Sequence, residues 1–133
     1  SLSTGWSPAF WTDYFAPQLR EACAAIHEAG GLAIFYDDGK CMPILDLVAD
    51  AGIDVLQTLT PPPVGDVDLA EVKRRIGDRV CLMGYTDLIY VLKLGTPELI
   101  ERTVRDAIAT AGPRGFILGT SDSIRDGTPL AAP

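Results

Sequence analysis

Tyr36, Asp37 and Asp38 follow directly on the apolar run Leu32-Ala33-Ile34-Phe35, and three later apolar runs end in the same manner. Gln57 and Thr58 close the second, Gly84-Tyr85-Thr86-Asp87 the third, and Thr120-Ser121-Asp122 the fourth. Carboxylates and hydroxyls gathered at one rim can move protons or hold a polar ligand. The competing reading is that aspartates at such turns cap the helices that follow. Asp87 reads first as a cap, and for Asp37 both readings stay open. Asp38 favours the site, because Gly39-Lys40-Cys41-Met42 separate it from the helix that Pro43 opens. Asp122 favours it too.

The elements that must position these residues alternate. Ser7-Pro8 is an N-cap with proline at the first helical position, opening a helix over "PAFWTDYF"; a break at Pro17 and a second helix stopped by Gly30-Gly31 follow. A strand over 31–36, fit to be buried on both faces, leads to the helix "PILDLVADAG" and the β-branched strand 53–57. The cycle repeats as "VDLAEVKRRIG" and "RVCLMG", then as "TPELIERTVRDAIATAG" and "GFILG". Strands and amphipathic helices in this alternation make an α/β fold of parallel strands. Four βα units form either half of a (β/α)8 barrel or a small open doubly wound sheet. In both, residues just past the carboxyl ends of the strands line the ligand crevice.

The 133 residues carry a formal charge of −7 at pH 7 and are 47% hydrophobic, which suits one soluble domain spanning 1–133. The acidic balance argues against nucleic acid or an anionic membrane as partner and favours a small-molecule substrate. Cys23, Cys41 and Cys81 show no CxxC spacing, so a disulfide framework is not expected and a reducing cytoplasm is. Cys23 and Cys81 are expected to be buried and unpaired. Cys41 reads as a small hydrophobe, His27 as a surface residue, and Lys73-Arg74-Arg75 as a solvated face. Ser1-Leu2 lacks an initiator Met and reads as a cloning scar on a fragment.

The order of "SPAFWTDYFAPQL", "YDDG", "ILDLVADAGIDVLQ", "EVKRRIGDRVCLMGYTD", "GTPELIERTVRDAIATAGPRGFILGTSDSI" and "TPL" resembles the C-terminal half of the uroporphyrinogen decarboxylase superfamily. The resemblance implies half of a (β/α)8 TIM barrel, taken from a decarboxylase or a cobalamin-linked, zinc-dependent methyltransferase. It also implies that Trp6 and Ser7 border the pocket. The chain departs from the family at telling places. Tyr36-Asp37-Asp38-Gly39 stands where the methyltransferases carry His-x-Cys-Gly, and Ser121-Asp122-Ser123 where they carry a later Cys and the decarboxylases Gly-His-Gly. Tyr85 stands in the place of an Asn.

On that resemblance Tyr36, Asp38 and Asp122 are the catalytic candidates, and Asp37, Tyr85, Asp87, Ser121, Trp6 and Ser7 the substrate-binding ones. Asp38 and Asp122 are the metal candidates, suited to Mg²⁺ or Mn²⁺ because hard cations prefer oxygen ligands. The parent enzyme is expected to be methyltransferase-like, with a corrinoid partner, or decarboxylase-like, with uroporphyrinogen decarboxylase proper and a non-catalytic module as alternatives. A half-barrel leaves an inner face and two strand edges uncovered, so a homodimer is expected.

Overall fold

A computed structural model describes residues 5–129; Ser1 and Leu2 lie outside them. Ser7 caps the first helix by accepting the Phe10 N–H at 3.2 Å, with Pro8 pre-set at the first turn. The helical path then runs without a break through α1 (Pro8–Phe10), a π-helical turn (Trp11–Phe15) and α2 (Ala16–Glu28). The expected break at Pro17 is thus replaced by a widened turn. Proline has no N–H to give, and the ladder opens just ahead of it, so the ring falls in the first turn of α2.

The remaining elements are β1 (Ile34–Tyr36), a 3₁₀ turn (Met42–Ile44) leading into α3 (Leu45–Asp50), β2 (Val55–Thr58), α4 (Leu69–Ile76), β3 (Cys81–Thr86), a π-helical turn (Leu88–Lys93), α5 (Pro97–Ala111) and β4 (Phe116–Thr120). Asp68 and Thr96 cap α4 and α5 through their side chains. The Leu88–Lys93 turn escaped the sequence reading, although its cap, Asp87, did not. The four strands are parallel, in the spatial order β1-β2-β3-β4.

Register explains the core. Phe35, Leu56, Leu82 and Phe116 share one row across the sheet, and this row faces the helices. Leu56 and Leu82 are completely enclosed there, together with Val72 and Ile76 of α4 and Val48 of α3. Burial of this kind contributes about 1.5–3 kcal/mol per large side chain. The rows on either side alternate to the other face, where no helix of the described residues lies. Ile34 is 58% exposed, Tyr36 48% and Ile117 46%. β1 is therefore covered on one face only, contrary to the expectation of burial on both. The doubly wound alternative fails for the same reason, because it needs helices on both faces.

Cys23 is buried and free as expected; Cys81, at the start of β3 on the uncovered face, is only half-buried. His27 stands at the surface within 2.7 Å of the Asp54 carboxylate, which also accepts the Ala33 N–H. Arg74 and Arg75 reach Glu71 and Asp46, as a solvated charged face should. Among the described residues no helix is long and apolar enough to cross a membrane.

Candidate functional site

The strand ends do converge. A cavity of about 250 Å³ at the carboxyl side of the sheet is lined by Asp38 and Gly39 after β1, Thr60 and Val64 after β2, Asp87 to Ile89 after β3, and Ser121, Asp122 and Arg125 after β4. Each position follows from local structure. Asp37 is buried, its N–H bonded to the Gln57 carbonyl at 2.8 Å, which carries the ladder one residue past β1 and turns Asp38 to the rim. Asp66 holds the rest of that turn by accepting the N–H groups of Cys41 and Met42.

Asp87 divides its carboxylate between two tasks. Oδ1 accepts the N–H groups of Ile89 and Tyr90 at 2.9 and 2.6 Å, capping the following turn. Oδ2 is buried and has no partner among the described residues. The same is true of Oγ of Ser121, a residue 1% exposed, whose N–H continues the ladder to the Thr86 carbonyl. The expectation of a cap at Asp87 is met by one oxygen; the other is buried, in a residue that lines the cavity.

Asp122 is enclosed in hydrogen bonds. Tyr36 donates its hydroxyl to Oδ1 at 2.7 Å, the Ser123 N–H donates to the same oxygen, and Arg125 donates to Oδ2 at 2.7 Å. These partners, Tyr36 foremost, hold its carboxyl below the usual carboxylate range. The same bond to Asp122 pushes the Tyr36 phenol up to about 12. Tyr36 therefore stays protonated and Asp122 anionic at neutral pH. Because the folded state retains the phenolic proton that the unfolded chain loses, stability from this bond is full below about 10, the ordinary tyrosine value, and lost as pH rises through about 12. An ultraviolet difference titration of wild type against Tyr36→Phe should show the phenol ionising near 12, and Asp122→Asn should return it toward 10. Ionisation near 10 in the wild type would mean that the bond is absent in solution.

Of the expected site residues, Tyr36 meets the cavity only through its bond to Asp122, and Asp37 is buried without lining it; the other candidates lie elsewhere. Tyr85 does not reach the cavity. Gly84 and Tyr85 both have positive φ, 128° and 91°, so the alternation of β3 is broken and the Tyr85 side chain turns outward to a cleft between α4 and α5, beside Asp68 and Leu69. Ser7 is occupied as a helix cap, and Trp6 stacks on Phe10 at 4.6 Å; neither lines the cavity. Cys41 is buried, and burial pushes its thiol up to about 12, so it offers no thiolate. Thr60 and Arg125 went unnoticed in the sequence. The spacing of Asp122 and Arg125 three apart was the available signal for the second.

The sequence profile of the uroporphyrinogen decarboxylase (URO-D) family matches residues 1–132. The chain belongs to the uroporphyrinogen decarboxylase family. It is 28% identical over 96 residues to a uroporphyrinogen decarboxylase from Trichodesmium erythraeum, covering 72% of this chain and 25% of that protein. Identity to the uroporphyrinogen decarboxylase of a Synechococcus species is 33% over 98 residues, 74% of this chain and 26% of the other. The chain thus spans about a quarter of the length of the curated relatives it matches. A methyltransferase from Methanosarcina mazei superposes with a TM-score of 0.78 over 94% of this chain and 34% of that one, at 22% identity. That likeness carries the fold: four parallel βα units arranged as in part of a (β/α)8 barrel.

In this uroporphyrinogen decarboxylase family member the metal reading does not fit the donor set. Both oxygens of Asp122 already accept from a tyrosine, an amide and a guanidinium, and the positive charge of Arg125 beside it disfavours a second cation. No group of three or more His, Cys, Asp or Glu among the described residues is arranged to hold an ion.

Proposed function

We propose that this chain builds the acid-lined, strand-end rim of a small-molecule site in an enzyme of the uroporphyrinogen decarboxylase superfamily, and that the enzyme's chemistry is decarboxylase-like rather than thiol methylation. The observation that carries the reading is the pair of buried oxygens without a partner among the described residues, Oδ2 of Asp87 and Oγ of Ser121, in two residues that line one cavity. Leaving a buried polar group unsatisfied costs about 1–3 kcal/mol, more for a charged one, and such groups are retained where a ligand completes them.

Methyl transfer to a thiol through zinc needs soft ligands, and the two turns that would supply them carry oxygen donors instead. A proton-transfer site needs less. Asp38 at the rim is the general acid or base; Tyr36 and Asp122 form a fixed, charge-bearing bond that orients Arg125 beside it. A guanidinium has five N–H donors, so Arg125 can keep its bond to Asp122 and still receive a substrate carboxylate.

The complete protein that carries this chain is to be incubated anaerobically with carboxylated substrates, uroporphyrinogen first, and in parallel with methylcobalamin and a thiol. Carbon dioxide release that survives chelators and falls about a hundredfold in Asp38→Asn is the expected result. Methyl transfer abolished by chelators would overturn the reading, and so would the absence of both reactions, which leaves a binding module. For the full chain alone we propose pairing with a second copy across the uncovered sheet face, checked by sedimentation at micromolar concentration; a concentration-independent monomer refutes it.

A further inference from the structure

We propose that the cavity takes a small ligand bearing a protonated or N–H-rich nitrogen, and that Asp87 is the residue that selects it. This rests on reading the cavity as a small-molecule site and names the chemistry of its occupant. Among the lining residues are the carboxylates of Asp87 and Asp122 and one guanidinium, that of Arg125. Arg125 is matched to Asp122 by a bond of 2.7 Å. Asp87 has no cation matched to its second oxygen among the described residues, although the residue is only 3% exposed.

A carboxylate in that position attracts a hydrogen-bond donor, and most strongly a positively charged one, since the interaction acts where water is largely excluded. Ser121 sharpens the choice. Its buried hydroxyl can give or accept, so it can bond either a second N–H of the same nitrogen or a neighbouring acceptor atom. The apolar contribution comes from Val64, Leu88 and Ile89, which line the same space and suit a short hydrocarbon or ring attached to the nitrogen. A divalent ion would need several ligands converging within bonding distance, and the described residues provide no such group. An organic nitrogen needs only one good acceptor and a shaped wall.

The experiment compares two probes of similar size and opposite charge, propylammonium and propionate, by ligand-observed NMR with the full chain and with Asp87→Asn. Asparagine keeps an oxygen for the cap, so the following turn survives the change. The expected result is that propylammonium binds at least about tenfold more tightly than propionate, and that Asp87→Asn removes the preference. Ser121→Ala should weaken propylammonium without reversing the order. Equal binding, a preference for propionate, a preference unchanged in Asp87→Asn, or no binding of either probe would each overturn the proposal. Decarboxylation by the complete protein alongside a failed preference removes this inference alone. A preserved preference without turnover removes the functional reading and leaves the nitrogen site standing.

Discussion

Gly84→Ala should cost about 4 kcal/mol or more, a large share of the about 5–15 kcal/mol by which small domains are stable. Two independent effects act at this position. Gly84 sits at φ 128°, a conformation that side-chain-bearing residues adopt only under strain. A Cβ there would also overlap the carbonyl oxygen of Thr58, which pairs with Gly84 across the β2–β3 ladder. The obstruction is backbone, so no side chain can swing aside to relieve it. Gly119 on β4 provides the contrast: a Cβ there would meet only the Gly84 Cα, at 3.8 Å, in ordinary contact. Denaturant melts of both variants decide the matter. Gly119→Ala should lie within about 0.5 kcal/mol of wild type, and a Gly84→Ala loss below about 1 kcal/mol would show that the ladder can part without harm.

Gly65→Ala should disable ligand binding as well as lower stability, by about 2–4 kcal/mol. Gly65 lies in the proline-rich turn after β2, where its missing side chain lets the backbone press against Thr60 and Gly39. A Cβ there would overlap the Thr60 carbonyl, and it would stand 2.5 Å from the Gly39 carbonyl and 2.8 Å from the Thr60 Cβ. Thr60 and Gly39 both line the cavity. Making room for one methyl group therefore moves two sides of the site, and the Gly39 shift carries Asp38 with it. Melting temperature and propylammonium binding, measured together, test this. A variant that loses stability but binds normally would show that the turn supports the fold and not the site.

The strand-end acids were legible because period and position coincide. Apolar runs of a few residues, each ending in oxygen-bearing side chains, specify both the parallel sheet and the rim on which Asp38, Asp87, Ser121 and Asp122 gather. Tyr85 was misplaced because it was read as lying past the end of the third apolar run, on the rim, while β3 runs on to Thr86 and Gly84 lets the chain turn at positive φ and sends the next side chain to the opposite layer. Glycine in a strand announces such a bend, but not which way the following residue will point. Pro17 misled for a related reason: a π-helical turn absorbs it, and no residue pattern distinguishes that from a helix end. Arg125 was missed because it belongs to an irregular segment, where its spacing from Asp122 was the one signal and no helical or strand period supported it. The two-faced burial expected of β1 was a matter of context, since an apolar run does not say whether its second face is met by this chain.

The strands lie side by side in the order in which they are made. Each new βα unit needs only the one before it as a template for strand pairing, so the sheet can assemble vectorially as the chain leaves the ribosome. Growth then has a direction, with β4 as the advancing edge. The acids of the rim arrive in the same succession, Asp38 first and Asp122 last, and the Tyr36–Asp122 bond closes the set by joining the first strand to the last. That bond acts as a completion signal: until β4 has docked, Tyr36 lacks its acceptor, and the cavity has no far wall.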